Sequence, residues 1–249
     1  MRVLMLASFG LEIVECGGTL ALHAQAGDYV HAAVLLSRPE SRPQVKEASE
    51  ILGIDTDNVE FLHFPYGGWE LDVESKEKIV ELVRRVKPDI VITQDPHHAQ
   101  HDLDPDRRLI ALLYTESFAL AGRQWHIEEC GGHAPHRVGT IYYMTPEHAN
   151  CVVEISKTWA LKKQALGVLG SQMAFSAEFT EQKTDAETLR YVVPEYDDIH
   201  EDKVALGLAL HTRYEHAIAL VNGLAGHSGA IMGEAYRREG VFILERLQD

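Results

Sequence analysis

The stretch LASFGLEIVECGGTL (residues 6–20) runs from an apolar segment into a pair of glycines that open a helical pattern, the arrangement of a strand-to-helix turn. Gly17 and Gly18 bare the backbone at that point, which lets a ligand approach a helix N-terminus or lets a neighbouring element pack closely. The pattern is neither G-x-G-x-x-G nor a Walker A loop, so both uses stay open. The turn between strand and glycines, Ser8-Phe9-Gly10-Leu11, is placed like a site-forming loop yet carries little that can do chemistry.

Working outward, RVLMLAS is a strand, CGGTLALHAQAG a helix closed by Gly27, YVHAAVLLS a second strand, and QVKEASEILG a helix ended by Gly53. The order repeats. VEFLHF is a short strand, VESKEKIVELVRRVKP an amphipathic helix stopped by Pro88, and DIVITQ a buried strand rich in β-branched residues. DPDRRLIALLYTESFALAG is a helix with Pro105 at its start, where a missing amide proton costs nothing, and VGTIYYM is another strand. Strands alternating with helices predict βαβ units and an α/β fold with a mostly parallel sheet. Ligands of such sheets bind beyond the carboxyl ends of the strands, so loops 7–16, 36–43, 64–72 and 95–104 are expected around a pocket. The first strand is expected to end near Ala7, and the helix from Gly17 or Gly18 to reach His23 to Gln25. The remainder, with helices near KTWALKKQALGVLGSQ and EDKVALGLAL and a final strand GVFILERL, reads as an extension, residues 151–249, on a core of 1–150 within one domain, 1–249.

A chain of 249 residues suits one large core. Its 45% hydrophobic and 24% charged residues are ordinary for a globular protein, and no apolar run approaches the roughly 20 residues of a membrane span. RVLMLA follows Met1 directly, without the basic and long apolar regions of a signal peptide, so a cytoplasmic protein is expected. Cys16, Cys130 and Cys151 are odd in number and irregularly spaced, as suits reduced thiols. A formal charge of -15 argues against nucleic acid and anionic membranes as partners and leaves small molecules or proteins.

Taken together, VLMLAS, ECGGTLALHAQAGDYVHAAVLLS, ASEILGI, VKPDIVITQDP, DPDRRLIALLYTESFALAG, PHRVGTIYYMTPE, VVEISKTWALKKQALGVLGSQ and MGEAYRR resemble, in order and spacing, the LmbE-like or PIG-L de-N-acetylases. These hydrolyse N-acetyl groups of glucosamine-type sugars with zinc. CGGTLALHA is also similar to a hydratase branch of that superfamily acting on 4-oxalomesaconate. The resemblance implies a Rossmann-like three-layer α/β/α fold with a C-terminal α+β extension, and homo-oligomers. It also exposes departures. Where the family has A-H-P-D-D-E, this chain has Ala7-Ser8-Phe9-Gly10-Leu11-Glu12, so Ser8 and Leu11 stand where the resemblance implies zinc ligands, and Gly10 where it implies the general base. Where the family has H-P-D-H, the chain has Asp104-Pro105-Asp106-Arg107, which puts a permanent cation in a ligand's place. Tyr66 stands where an acidic residue is usual. Catalytic zinc needs three protein ligands, so the family zinc is expected to be absent and no cofactor is expected.

The remaining candidates are Glu12, Asp104, Asp106, His101 and His227 for acid–base chemistry, and Ser8, Gly10, Arg42, Tyr66 and Arg107 for binding substrate. Arg107 beside carboxylates would hold an anionic group or form an ion pair. Ser8 as a nucleophile would need His97, His98 or His101 as base, and no G-x-S-x-G elbow is present. His97, His98, His101 and Asp102 have enough donors for a relocated metal site, although exposed histidines on an acidic surface are the plainer reading, as for His133 and His136. Tyr142, Tyr143, Met144 and Trp159 read as core or subunit contact. Two functions follow: an enzyme on a sugar-like or acidic metabolite using acid–base chemistry, as amide hydrolysis or as addition and elimination of water, or a catalytically silent descendant that binds such a ligand or serves as a subunit. A carboxylate or histidine with a matched pKa at the strand ends favours the first, and a pocket filled by Phe9, Leu11 and Tyr66 the second.

Overall fold

In the computed structural model, which describes residues 1–239, the alternation read from the sequence becomes β1 (Arg2–Ala7), α1 (Leu11–Glu15), α2 (Gly17–Gln25), β2 (Tyr29–Val34), α3 (Ser41–Ile51), β3 (Val59–Phe61), α4 (Val73–Val86), β4 (Ile90–Gln94), α5 (Pro96–His101), α6 (Pro105–Ala121) and β5 (Thr140–Met144). β6 (Cys151–Glu154), α7 (Trp159–Gly167), α8 (Gly170–Glu181), α9 (Ala186–Val192), α10 (Tyr196–Ile199), α11 (Lys203–Asn222) and β7 (Gly233–Glu239) follow. The strands form one sheet in the order β3-β2-β1-β4-β5-β7-β6. β1 to β5 pair in parallel, and β7 runs antiparallel to both β5 and β6.

β1 sits at the centre of the five parallel strands and is apolar on both faces, as a strand covered by helices on both sides must be. Its alternate residues feed two cores. Val3, Met5 and Ala7 pack with Ile13, Leu20, Val45, Leu52 and Leu166 on one face. Leu4 and Leu6 pack with Ile79, Leu82, Val83, Ile110 and Leu113 on the other. The three-layer α/β/α arrangement is thus set by a period-2 pattern meeting helical stripes. Among the described residues no helix is long and apolar enough to cross a membrane.

From β1 the chain winds outward to β3, then crosses back to β4 on the other side of β1. This reversal leaves a crevice at the carboxyl ends of β1 and β4, the place where such folds bind ligands. The turn after β1 and the segment leading from β4 into α6 meet there.

The extension differs from its reading in sequence in two places. KTWALKKQALGVLGSQ is two helices, because the chain breaks at Val168 and Leu169 between Gly167 and Gly170. β6 was not anticipated: CVVE is too short to show a period, and it exists because β7 pairs with it. The last described strand is GEAYRRE, whereas the expected strand GVFILERL lies outside the described residues. Gly18 supports the packing use of the paired glycines. A Cβ there would stand 2.7 Å from Ile155 and 2.9 Å from Glu234 Oε1. The Gly18 and Thr19 amides donate to the Glu234 carboxylate at 2.9 and 2.8 Å, so a protein side chain fills the helix N-terminus.

Candidate functional site

The turn after β1 folds onto Glu12, whose Oε2 accepts the Phe9 amide at 3.0 Å. Glu12 is 2% exposed. Its counter-ion comes from α6. Asp104 caps that helix by accepting the Asp106 amide at 2.8 Å, and Pro105 occupies the first turn, so Arg107 projects from a fixed start. Arg107 Nη1 donates to Glu12 Oε1 at 3.2 Å and to Gln94 Oε1 at 2.9 Å. Its Nε lies 3.2 Å from Asp102 Oδ2, and its guanidinium sits 5.0 Å from the Phe9 ring centroid. Among the described residues Nη2 makes no hydrogen bond within the protein. Burial pushes the Glu12 carboxyl up, and the charge of Arg107 only partly counters that. Burial alone would lower Arg107, but Glu12, Glu15, Asp102 and Asp104 hold it above its ordinary value.

Arg107 is a wall of two cavities. The first, about 330 Å³, lies over the turn and is lined by Phe9, Gly10, Leu11, Tyr66, Asp104 and Phe175 among others. Phe9 and Tyr66 stack with ring centroids 5.9 Å apart, and the Arg38 guanidinium lies 5.8 Å from the Tyr66 ring centroid. Ser41, Gln44, Ser171 and Gln172 supply neutral polar groups. All four loops expected around the pocket contribute to this cavity.

The second cavity, about 580 Å³, lies between α1, the end of β5 and α11. At its base Lys162, 3% exposed, bridges Glu234 at 2.8 Å and Glu215 at 2.9 Å and donates to the Glu15 carbonyl at 2.6 Å. Glu234 also accepts from Tyr236 at 3.1 Å. Burial opposes the charge on Lys162, but the carboxylates of Glu234 and Glu215 more than restore it and raise its pKa.

The structure distributes the candidate residues unevenly. Glu12, Gly10, Tyr66, Asp104 and Arg107 come together at the crevice. Asp106 is engaged elsewhere: its carboxylate accepts the Gly67 amide at 3.0 and 3.1 Å and Trp69 Nε1 at 3.0 Å, tying loop 64–72 to α6, and it lines neither cavity. Ser8 is buried and lines neither. Arg42 donates to Ser37 Oγ and to the Ser37 carbonyl, outside both. His101 is exposed and pairs with Glu147 at 3.6 Å, because its position on the short α5 turns it outward. His227 sits exposed in a turn with φ 54°, away from both cavities, while Glu234 is drawn inward by Lys162. His97 and His98 are exposed, and among the described residues no three His, Cys, Asp or Glu side chains converge as metal ligands do. Glu15, Lys162 and Glu215 were not singled out from the sequence; the spacing of Glu12 and Glu15 on one helix was the available signal.

Three residues stand where the family resemblance implies zinc ligands. Leu11 has no donor atom, Ser8 is buried outside both cavities, and Arg107 brings a cation that repels a metal. Nor is there room for a base at residue 10, where an added Cβ would stand 2.2 Å from Val45 Cγ2.

Comparison with known proteins agrees with the fold. Among curated proteins none matches. Solved structures do. The N,N'-diacetylchitobiose deacetylase from Pyrococcus horikoshii superposes with TM-score 0.71 at 20% identity, covering 95% of this chain and 83% of that one. The conserved protein TT1542 from Thermus thermophilus superposes with TM-score 0.71 at 21% identity over 100% of both chains. The 4-carboxy-2-hydroxymuconate hydratase from Pseudomonas putida gives 0.64 at 18%, again over 100% of both. At these identities the likeness is one of fold. The sequence match is to the family model of GlcNAc-PI de-N-acetylase, PIG-L, over residues 12–106, from Glu12 in the first turn to Asp106 at the start of α6, so this segment of the chain is similar to the PIG-L family.

Proposed function

We propose that the chain acts on a small polar metabolite, sugar-like or acidic, held in the crevice around Arg107, by acid–base chemistry that does not use the family's zinc. The observation that carries this reading is the placement of Arg107. A guanidinium stands where the family motif has a ligand, is fixed by Glu12, Gln94 and Asp102, and forms a wall of both cavities. Fixed on three sides, it keeps donors for a ligand's anionic or carbonyl oxygen without the entropy cost of ordering a free side chain. In the first cavity, stacked Phe9 and Tyr66 offer an apolar platform, and Gln44, Ser171 and Gln172 offer hydrogen bonds, the mixture that suits a ring bearing hydroxyl or acetamido groups. Amide hydrolysis and addition or elimination of water both fit the family and need a positioned proton carrier in place of a metal. A silent binder is the second reading, and the lining of the first cavity by Phe9, Leu11 and Tyr66 favours it.

Thermal shift with a panel of N-acetylated amino sugars and hydroxydicarboxylic acids tests the binding. Arg107→Ala is compared in a Glu12→Gln background, so that no buried carboxylate is left without its cation. The expected loss is about 1.5–3 kcal/mol of binding, the scale of a charge-assisted hydrogen bond. Equal shifts with and without Arg107 for every compound would remove the reading. Elemental analysis is expected to find no stoichiometric zinc bound through residues 8–12 and 104–107. Zinc near one per chain, lost on changing those residues, contradicts that part. As the family resemblance implies, we further propose a homo-oligomer, which a monomeric mass by light scattering would refute.

A further inference from the structure

The second cavity contains a carboxylate that the proposed reading leaves without a role. Of the acidic side chains along its wall, Asp102 is paired with Arg107 and accepts the Asp104 amide, and Glu147 faces His101. Glu215 and Glu234 share Lys162. Glu15 is different. Its side chain is half-buried and has no hydrogen-bond or ion-pair partner among the described residues. A group buried in that way must either find a partner from solution or stay neutral.

The surroundings favour neutrality. From its own helix Glu15 faces Glu12, and from α11 it faces Glu215 and Tyr214; Arg107 from α6 and Lys162 from α7 are the cations nearby, each already shared between carboxylates. Burial and the repulsion of Glu12 and Glu215 outweigh the two cations and push the Glu15 carboxyl up to about 8. The paired carboxylates cannot exchange a proton without breaking an ion pair or a helix cap. Glu15 can.

We propose that Glu15 is the proton-transfer residue of the second cavity: its carboxyl passes a proton to a basic oxygen or nitrogen of a small polar molecule seated beside Arg107. The O–H bond of Glu15 breaks as the bond from that hydrogen to the ligand atom forms, and the carboxylate left behind is restored by a proton from solvent. This deepens the reading above and rests on it for the nature of the ligand, but its first test needs no ligand.

Diazoacetamide esterifies a carboxylic acid in its protonated form: the acid proton moves to the diazo carbon, dinitrogen leaves, and the carboxylate oxygen bonds to that carbon. At pH ~7 ordinary carboxyls are almost wholly ionised and react slowly, whereas an acid with its pKa near neutrality reacts if the reagent can reach it. In the whole protein, peptide mapping by mass spectrometry is expected to find Glu15 modified at least roughly tenfold above Asp102 and Glu147 of the same cavity, with the yield falling about tenfold per pH unit above ~8. Glu12, also raised but enclosed, should stay unmodified. The second test uses any panel compound that is turned over: the wild-type rate should fall above pH ~8, and Glu15→Gln should lower it by roughly 10²-fold or more and remove that limb. Glu15 modified no more than its cavity neighbours, or a Glu15→Gln variant with the wild-type rate and pH profile, overturns the proposal. The two readings fail separately. A modified Glu15 with a silent ligand panel would count against the proposed binding alone, and an Arg107-dependent panel with an unreactive Glu15 would count against this inference alone.

Discussion

Arg107 borders two spaces of opposite character. The first is walled by stacked rings and neutral amides and hydroxyls, with Arg38, Glu40, Asp104 and Arg107 also in its lining. The second is walled by carboxylates that are nearly all tied up, around a lysine buried between two of them. One space is suited to holding a shape and the other to moving a proton. The difference teaches that one fixed cation can border two spaces of opposite chemistry. Arg107 is gripped from one side by Glu12 and Gln94 and from another by Asp102, and so borders both spaces.

The hardest way to break the contrast is to remove the base of the second cavity. Lys162→Met leaves Glu215 and Glu234 buried without their shared cation, and is expected to cost about 3–5 kcal/mol in urea unfolding. A loss under about 1 kcal/mol would mean that water already reaches those carboxylates.

On the other side of Arg107 the contrast sharpens at Gly10. An alanine there would drive its Cβ into the Val45 methyl, so Gly10→Ala should destabilise by roughly 1–3 kcal/mol, and Val45→Ala should relieve most of that in the double variant. Additive losses would show that the turn after β1 yields instead of Val45.

A third, smaller effect separates the spaces by pH. The folded-state pKa of Glu15, about 8, lies above its ordinary 4.5, so between these values the folded protein keeps a proton that the unfolded chain releases. Stability attributable to Glu15 therefore falls as pH rises from about 4.5 to about 8 and is level beyond. Glu15→Gln should flatten that slope and gain about 2 kcal/mol near pH 9, allowing for the side chain's partial exposure. Parallel stability curves for the two proteins across that range would show that Glu15 ionises normally.

The smallest expected effect is at a residue that belongs to neither space. His227→Ala should change stability by less than about 0.5 kcal/mol and leave ligand shifts as they are. A larger change would bring the 223–231 turn into the site.

The sequence carried the parallel half of the sheet well. β1 and α2 match the expected limits because an apolar run, two glycines and a helical stripe all point to the same boundaries. It carried the antiparallel half poorly. Four residues of β6 cannot display a period, and their strand exists only through β7, far along the chain. The site divides in the same way. Arg107 stood out because a motif framed it, and the four loops around the first cavity followed from the strand order alone. The second cavity did not stand out: what makes Glu15 unusual is Glu215 on α11, a neighbour no local pattern reveals. His101 and His227 drew notice as histidines in suggestive company, but short-range composition carries no information about which way a turn faces.

The Glu234 carboxylate reaches back over 216 residues to the amides of Gly18, and Lys162 joins it from 72 residues away. During synthesis a ribosome delivers α2 first, then Lys162, and only much later the strand that carries Glu234. Until then the amides opening α2 have no carboxylate and Lys162 has only Glu215 once α11 has emerged, so the nascent chain can stack its parallel strands without completing the second cavity. A chain ending before β7 would lack the carboxylate that caps α2 and pairs with Lys162, so the second cavity is completed only by that strand.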